Sequence, residues 1–367
     1  MFKIRIFIYV LILSFVPYQE PTYTLPVDPL SDLVSYMSQP VRVNGNNQLS
    51  MFSYNEHALL FYDLQSKEIT SKIKYERQGP NGLSNMKYVG NFNYINQDTI
   101  VFFNQQQNRI FLSDSDGNIF KRTTIRNDSV GFGSIGVQKP FAYKNGSLYM
   151  QSWPVVIGEN KIENHERRPN MIGKISLRDG RTEEFVFELP KEYKDKNYGQ
   201  SLRNLDIIYN PKINKFIISF PLSDSIYVTD FNGYKKSYLA KSQLVKTAVE
   251  IDKYKGKVSA SIVTDLTKWL SDKYERLFFD SKSGYYFRLA SKGITEKAYQ
   301  AKDFSTQKEV IVLDENFKHF KTLKHDGGSF LYYFFAGDKV YWNKDIVKYN
   351  YEAVNEDFIY FKQHSFK

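Results

Sequence analysis

Cysteine is absent from the chain, which removes disulfides, thiolate metal sites, Cys nucleophiles and lipid attachment through an N-terminal Cys. Nothing in the 367 residues has the Pro, Gly or Ser enrichment of a flexible linker, so one large repetitive domain is favoured over two average ones. Long apolar runs are missing too. The longest, Ile6 to Val16, is too short to span a bilayer alone.

Catalytic signatures are equally scarce. There is no G-x-S-x-G, no H-E-x-x-H and no G-x-x-x-x-G-K-[ST], the marks of common hydrolases, zinc proteases and phosphate loops. Gly131 to Gly136 formally spells G-x-G-x-x-G, but Pro140 follows closely and no helix begins there, which sets dinucleotide binding aside. The 5 histidines do not cluster, and His57, His165 and His325 read as solvated link residues rather than metal ligands. Carboxylate pairs such as Glu183 with Glu184 and Glu163 with Glu166 lie on polar strands or loops, and the sequence places no two of them across a cleft at glycosidase separation. No catalytic residue and no metal ligand is nominated, and the balance lies against an enzyme.

What is present is aromatic and β-prone. The chain holds 28 Tyr, 29 Phe and 3 Trp, 16% of all residues, types that suit pleated, half-buried surfaces. The formal charge of +10 is spread along polar strand faces and turns. It implies a soluble basic surface and no nucleic-acid partner.

Met1 to Arg5 supplies two positive charges ahead of the apolar run, the first two parts of a secretory signal. We therefore expect a signal segment over residues 1–20, export to the periplasm or cell envelope, and a mature domain over 21–367. Membrane contact is expected only through that segment. Pro17 to Pro21 lacks the small-x-small cleavage pattern, so the cleavage point is left open.

After about residue 40 the chain reads as short strands separated by turn residues. One set of hairpins turns near Gly45-Asn46, Asn96-Gln97, Asn145-Gly146, Pro211-Lys212, Ser283-Gly284 and Gly337-Asp338. A second set interleaves, turning at Gln65-Ser66, Asp116-Gly117, Asp179-Gly180, Asn232-Gly233 and Glu315-Asn316. Asp-Gly and Asn-Gly recur because tight hairpins need positive φ. Two hairpins per repeat make four strands, and six such repeats predict an all-β, six-bladed β-propeller of four-stranded antiparallel blades. The sixth second hairpin, around Tyr349 to Phe361, is the weakest, and the segment Tyr23 to Tyr36 is expected to add a strand that closes the ring.

In this alternation, turns inside hairpins lie at one end of the ring and links between hairpins at the other. Ser152 to Asn170, Pro190 to Arg203, Ala240 to Lys273 and Ala290 to Glu309 all fall at the linking end, which we take as the binding face. Between blades four and five a helical insert is expected as two short helices, around Leu244 to Ile251 and Ile262 to Leu270, broken by Gly256. It is either a lid or a plug over the channel. The segment Arg77 to Gly82 is read as a tight inter-blade turn ahead of an anion-binding nest. Trp153, Trp269 and Trp342 suit either ligand stacking or the core.

With these features in hand, the chain resembles a family of six-bladed propellers of unknown function from Gram-negative envelopes, often lipoproteins, over about residues 25–365. The resemblance is carried by Arg77 to Gly82, Asp98-Thr99-Ile100 and the Asp-Gly hairpins. It implies the propeller fold and envelope placement, and it brings no catalytic residues. The expected function is a non-catalytic binding or scaffold propeller that recognises a protein, peptide or glycan. Its candidate ligand-binding residues are Arg77, Asn81, Trp153, Arg203 and Arg288, chosen as polar or aromatic side chains in or beside links. The alternative is a calcium-dependent hydrolase or glycan lyase at the central channel, calcium being the one cofactor the architecture admits.

Overall fold

A computed structural model describes residues 22–28, 38–84, 90–105, 107–126, 130–132, 141–154, 170–254, 256–257, 259–325, 333–336, 338–343 and 358–367. The strands form six antiparallel sheets. Strand β1 (Thr22–Pro26) comes first but belongs to the last sheet. Blade one holds β2 (Ser38–Val43), β3 (Asn46–Ser53), β4 (Ala58–Asp63) and β5 (Ile69–Lys74). Blade two holds β6 (Gly90–Asn96), β7 (Thr99–Asn104), β8 (Arg109–Ser113) and β9 (Ile119–Thr124). Blade three is built from β10 (Val130–Phe132), β11 (Ala142–Lys144), β12 (Ser147–Pro154), β13 (Asn170–Ser176) and β14 (Thr182–Phe187). Blade four has β15 (Asp206–Asn210), β16 (Lys215–Ser219), β17 (Ser225–Thr229) and β18 (Lys235–Leu239), and blade five has β19 (Lys273–Phe279), β20 (Tyr286–Ser291), β21 (Lys308–Leu313) and β22 (His319–His325).

Blade six takes β23 (Tyr333–Ala336), β24 (Lys339–Asn343) and β25 (Phe358–Ser365) from the end of the chain, and β1 completes it by pairing with β25 from Thr22–Lys362 to Pro26–Phe358. The ring is thus closed by one strand from each terminal region, as expected. This replaces the sixth second hairpin read at Tyr349 to Phe361: its final stretch is the single strand β25, and 349–357 lie outside the described residues. Pairing with β1 covers the edge that β25 would otherwise present and makes β1 the terminal strand of blade six.

The packing explains why the strands look almost continuously apolar. Strand side chains alternate between the two faces of a sheet, and each face of a blade packs on a neighbour. In β7, Ile100 and Phe102 enter the cluster shared with blade one, while Val101 and Phe103 enter the one shared with blade three. Six large clusters fill the six joints between blades. Burying both faces removes the alternating polar positions that a one-sided sheet would show.

Polar side chains also tie successive blades at or beside the inner strands. Gln39 accepts from the Tyr94 N–H at 2.8 Å, Asn93 donates to the Phe141 carbonyl at 2.9 Å, Gln151 accepts from the Leu205 N–H at 3.1 Å and Asp206 accepts from the Leu277 N–H at 2.9 Å. Each satisfies a backbone group near the channel edge. The outer turns pack just as tightly. Gly117 and Gly180 have φ of +85° and +73°, and a Cβ there would come within 2.7 Å of the Lys74 carbonyl oxygen and 2.1 Å of that of Thr124. These Asp-Gly turns are therefore set by inter-blade contact as well as by local turn chemistry.

Candidate functional site

Antiparallel pairing sends the turns within hairpins to one rim and the remaining connections to the other. The linking rim carries the three described α-helices: α1 (Gln200–Arg203), α2 (Ala260–Leu270) and α3 (Glu296–Gln300). Only the second of the two expected insert helices forms. Residues 244–250 run without helix before one 3-10 turn at Ile251–Lys253, because their N–H groups are taken from outside: Lys246 and Thr247 donate to Asp272 Oδ2 at 3.1 and 2.8 Å, and Val249 donates to Ser271 Oγ at 2.9 Å. Helix α2 lies against the neighbouring links, with Ser201 Oγ donating to the Thr264 carbonyl at 3.4 Å and Tyr299 donating to Asp265 at 2.9 Å.

Where blades one and two meet, the linking rim is hollowed into a cavity of about 600 Å³ lined by Arg77, Gln78, Ser84, Gln107, Arg109 and Arg122, with Phe111 and two glycines of the link. The link folds as a tight turn: the Gly82 N–H reaches the Gly79 carbonyl at 3.1 Å and the Leu83 N–H that of Glu76 at 3.0 Å, with Gly79 at φ +86°. Its carbonyls, rather than its amides, meet the polar partner. Arg122 donates through Nη2 to the Gly79, Pro80 and Gly82 carbonyls. Arg77 likewise uses only Nη2, on the Tyr54 and Asn55 carbonyls at 3.0 and 2.9 Å.

The third arginine stands on the same sheet face. Register pairs Phe111 with Arg122 and Arg109 with Thr124, so Arg109, Phe111 and Arg122 share the face turned to blade one. Phe111 is 1% exposed, and the Arg122 guanidinium lies 5.8 Å from its ring centroid. Beneath the link, His57 is 3% exposed. Its two ring nitrogens each lie 3.0 Å from a carbonyl oxygen, of Tyr75 and Ser84. Burial lowers its pKa against the pull of those two carbonyls. His57 is thus an internal tie and not the solvated loop residue expected; His325, 8% exposed and stacked on Trp342 at 5.2 Å, corrects its expectation in the same way. His165 lies outside the described residues.

The central channel holds a second cavity, of about 510 Å³, lined by inner-strand residues including Gln39, Asn91, Asn93, Tyr94, Tyr143 and Tyr209. Its polar lining is made of amides, hydroxyls and Lys144 and contains no carboxylate. Calcium sites draw on carboxylate oxygens, and among the described residues no three His, Asp or Glu side chains gather as a metal cluster.

The five residues nominated from sequence are scattered. Arg77 and Asn81 share the blade-one link, where Arg77 lines the cavity and Asn81 Oδ1 accepts a long bond of 3.4 Å from the Ile119 N–H. Trp153 pairs with Gly131 across β12 and β10, and its side chain lies outside the described residues. Arg203 ends α1 and is 9% exposed. Arg288 is fully buried between blades four and five: Nε donates to Ser219 Oγ at 3.0 Å, Nη1 to the Ala240 carbonyl at 2.9 Å, and Nη2 to the Phe220 and Ser223 carbonyls at 3.1 and 2.6 Å. The Tyr274 ring sits 3.4 Å from the guanidinium carbon, and burial pulls the Arg288 pKa down to about 10. Arg288 is a clamp within the fold. Arg109 and Arg122 were missed; strand alternation through β8 and β9 is the signal that places them together.

Blade five also buries charge at the linking end of its sheet. Glu275 lies between Lys308 at 3.1 Å and Lys273 at 3.6 Å, and accepts from Ser291 at 2.8 Å. Burial drives the Lys273 pKa down to about 8, while the two lysines hold Glu275 at about 2 against its own desolvation. Trp269 packs on Phe304 at 4.5 Å, and Trp342 is fully buried.

Among described residues no helix is long and apolar enough to cross a membrane. Residues 15–321 match a family profile described as "Domain of unknown function (DUF4221)". A crystal structure of a member of that family from Bacteroides vulgatus superposes with a TM-score of 0.71 at 17% identity, covering 94% of this chain and 96% of the other. A candidate exported protein from Bacteroides fragilis superposes with a TM-score of 0.55 at 11% identity, covering 95% of each chain. No curated protein sequence matches.

Proposed function

The chain belongs to the DUF4221 family, whose function is unknown, and from that premise we propose that it is a non-catalytic binding or scaffold propeller of the cell envelope, recognising its ligand through the linking rim. The observation that carries this reading is the asymmetry of the rims. The described turns within hairpins are short, while the linking rim bears all three described helices and a cavity lined by donor side chains. Connections that exceed what closure of a sheet requires are where binding functions concentrate. The apolar residues 6–16 that follow two basic ones, together with a structural neighbour that is a candidate exported protein, support export to the periplasm.

Charge reversal on each rim tests the assignment. Exposed linking-rim residues would be changed as Arg77→Glu, Lys194→Glu and Lys297→Glu, and turn-rim residues as Arg178→Glu, Lys212→Glu and Lys282→Glu. Co-purification from native envelope should lose the retained ligand only with the linking-rim set. Loss confined to the turn-rim set would overturn the reading.

A further inference from the structure

We propose that the cavity between blades one and two binds an anionic glycan, gripping its carboxylate or sulfate groups with Arg77, Arg109 and Arg122; this deepens the reading of the linking rim and rests on it. Three guanidiniums line one hollow of about 600 Å³ with no carboxylate in its wall. Glu76 borders the link, yet among the described residues no ion pair joins it to any of the three. Like charges sharing a wall repel, and an incoming anion relieves that repulsion.

The anchoring of these side chains favours a ligand. Arg77 and Arg122 are each fixed through Nη2 alone, so Nε and Nη1 of both forks keep unused donors among the described residues. Arg109 is exposed and has no partner among the described residues. A planar fork with two adjacent N–H groups matches the paired oxygens of a carboxylate or sulfate.

The rest of the wall selects a sugar over an acidic peptide. Gln78, Gln107 and Ser84 both donate and accept, as hydroxyl-rich ligands require. Arginine clusters also grip acidic peptides, but peptide binding draws most of its energy from a few apolar or aromatic anchors seated in pockets. The one aromatic in the wall, Phe111, is 1% exposed beneath Arg122 and offers no such seat. The volume, within the range of small-ligand sites, suits several sugar units rather than a single ion.

The test is calorimetric titration of the full chain with a galacturonate tetramer, a heparin-derived tetrasaccharide, neutral cellotetraose, tetraglutamate and inorganic sulfate. Binding is expected for either or both acidic glycans, and which one answers distinguishes carboxylate from sulfate recognition. Affinity should fall steeply between low and physiological salt, with cellotetraose, tetraglutamate and sulfate at least ~10-fold weaker. Arg109→Gln, which breaks no internal contact, should weaken binding about 10-fold, the scale of one lost charge-assisted hydrogen bond. Arg77→Gln should do the same. Equal binding of cellotetraose or tetraglutamate, or unchanged affinity in an Arg77→Gln and Arg109→Gln double variant that melts like the parent, would overturn the proposal. If no acidic glycan binds while the linking-rim reversal still strips the native ligand, the glycan falls and the rim assignment stands.

Discussion

Arg288 and Arg122 carry the same guanidinium in opposite settings. Arg288, with no exposure, places Nε, Nη1 and Nη2 on four oxygens and covers the ring of Tyr274. Arg122, exposed over the blade-one link, uses a single nitrogen. A cation buried between sheets must have its donors filled, since desolvation is otherwise uncompensated. One at an open cavity need only be aimed. Saturation of the fork, and not residue type, separates an arginine that holds blades together from one that can meet a ligand. The lysines of blade five extend the contrast, with two of them buried around one carboxylate.

The sharpest way to break this contrast is Arg288→Ala, which strands four acceptors and should cost ~3–5 kcal/mol in chemical denaturation. A melting point within a degree of the parent would show that the clamp is ornamental. Glu275→Gln comes next: it leaves Lys273 and Lys308 facing each other without their shared counter-ion and should cost about 2–3 kcal/mol.

Blade five also sets a pH signature. Glu275, held at about 2 from an ordinary 4.5, contributes stability above pH 4.5 that is lost as pH falls towards 2. Lys273 gives a slope of the same sign for a different reason, burial disfavouring its charged form. Its folded pKa of about 8 lies below the ordinary 10.5, so between these values the unfolded chain binds more protons and stability rises with pH. With parent and Lys273→Met denatured side by side at pH values from 8 to 10.5, the parent's stability should gain on the variant's as pH rises; a constant difference would place the titrating group elsewhere.

The smallest effects belong to the open arginines. Arg122→Gln should lower stability by only about 1 kcal/mol through loss of its carbonyl contacts. Arg109→Gln should lie within ~0.5 kcal/mol of the parent. A large destabilisation by Arg109→Gln would make that residue a fold element like Arg288.

Legibility from sequence followed the range of the physics. The hairpin turns at Asn145-Gly146, Asp179-Gly180 and Asn232-Gly233 were readable because positive φ is a local demand. Closure by β1 was readable because an incomplete last blade leaves an edge to fill. The first insert helix was misread: the apolar spacing of Leu244, Ala248 and Ile251 is compatible with a helix, but Asp272 and Ser271 capture the backbone donors from 22 to 26 residues away. Among the nominated site residues, only Arg77 and Asn81 share a loop. Arg288 was chosen for its position beside a link, and its strand face proved to point into the joint with blade four.

Sequence by itself determined the number of repeats, the four-strand unit, the two unequal rims and the need for a closing strand, because turn chemistry and alternating side-chain direction act over a few residues. Tertiary structure alone decided which charges are buried and which remain open. Arg109 and Arg122 meet Arg77 only when blade two stacks on blade one, and burial and donor saturation depend on neighbours brought together by that stacking.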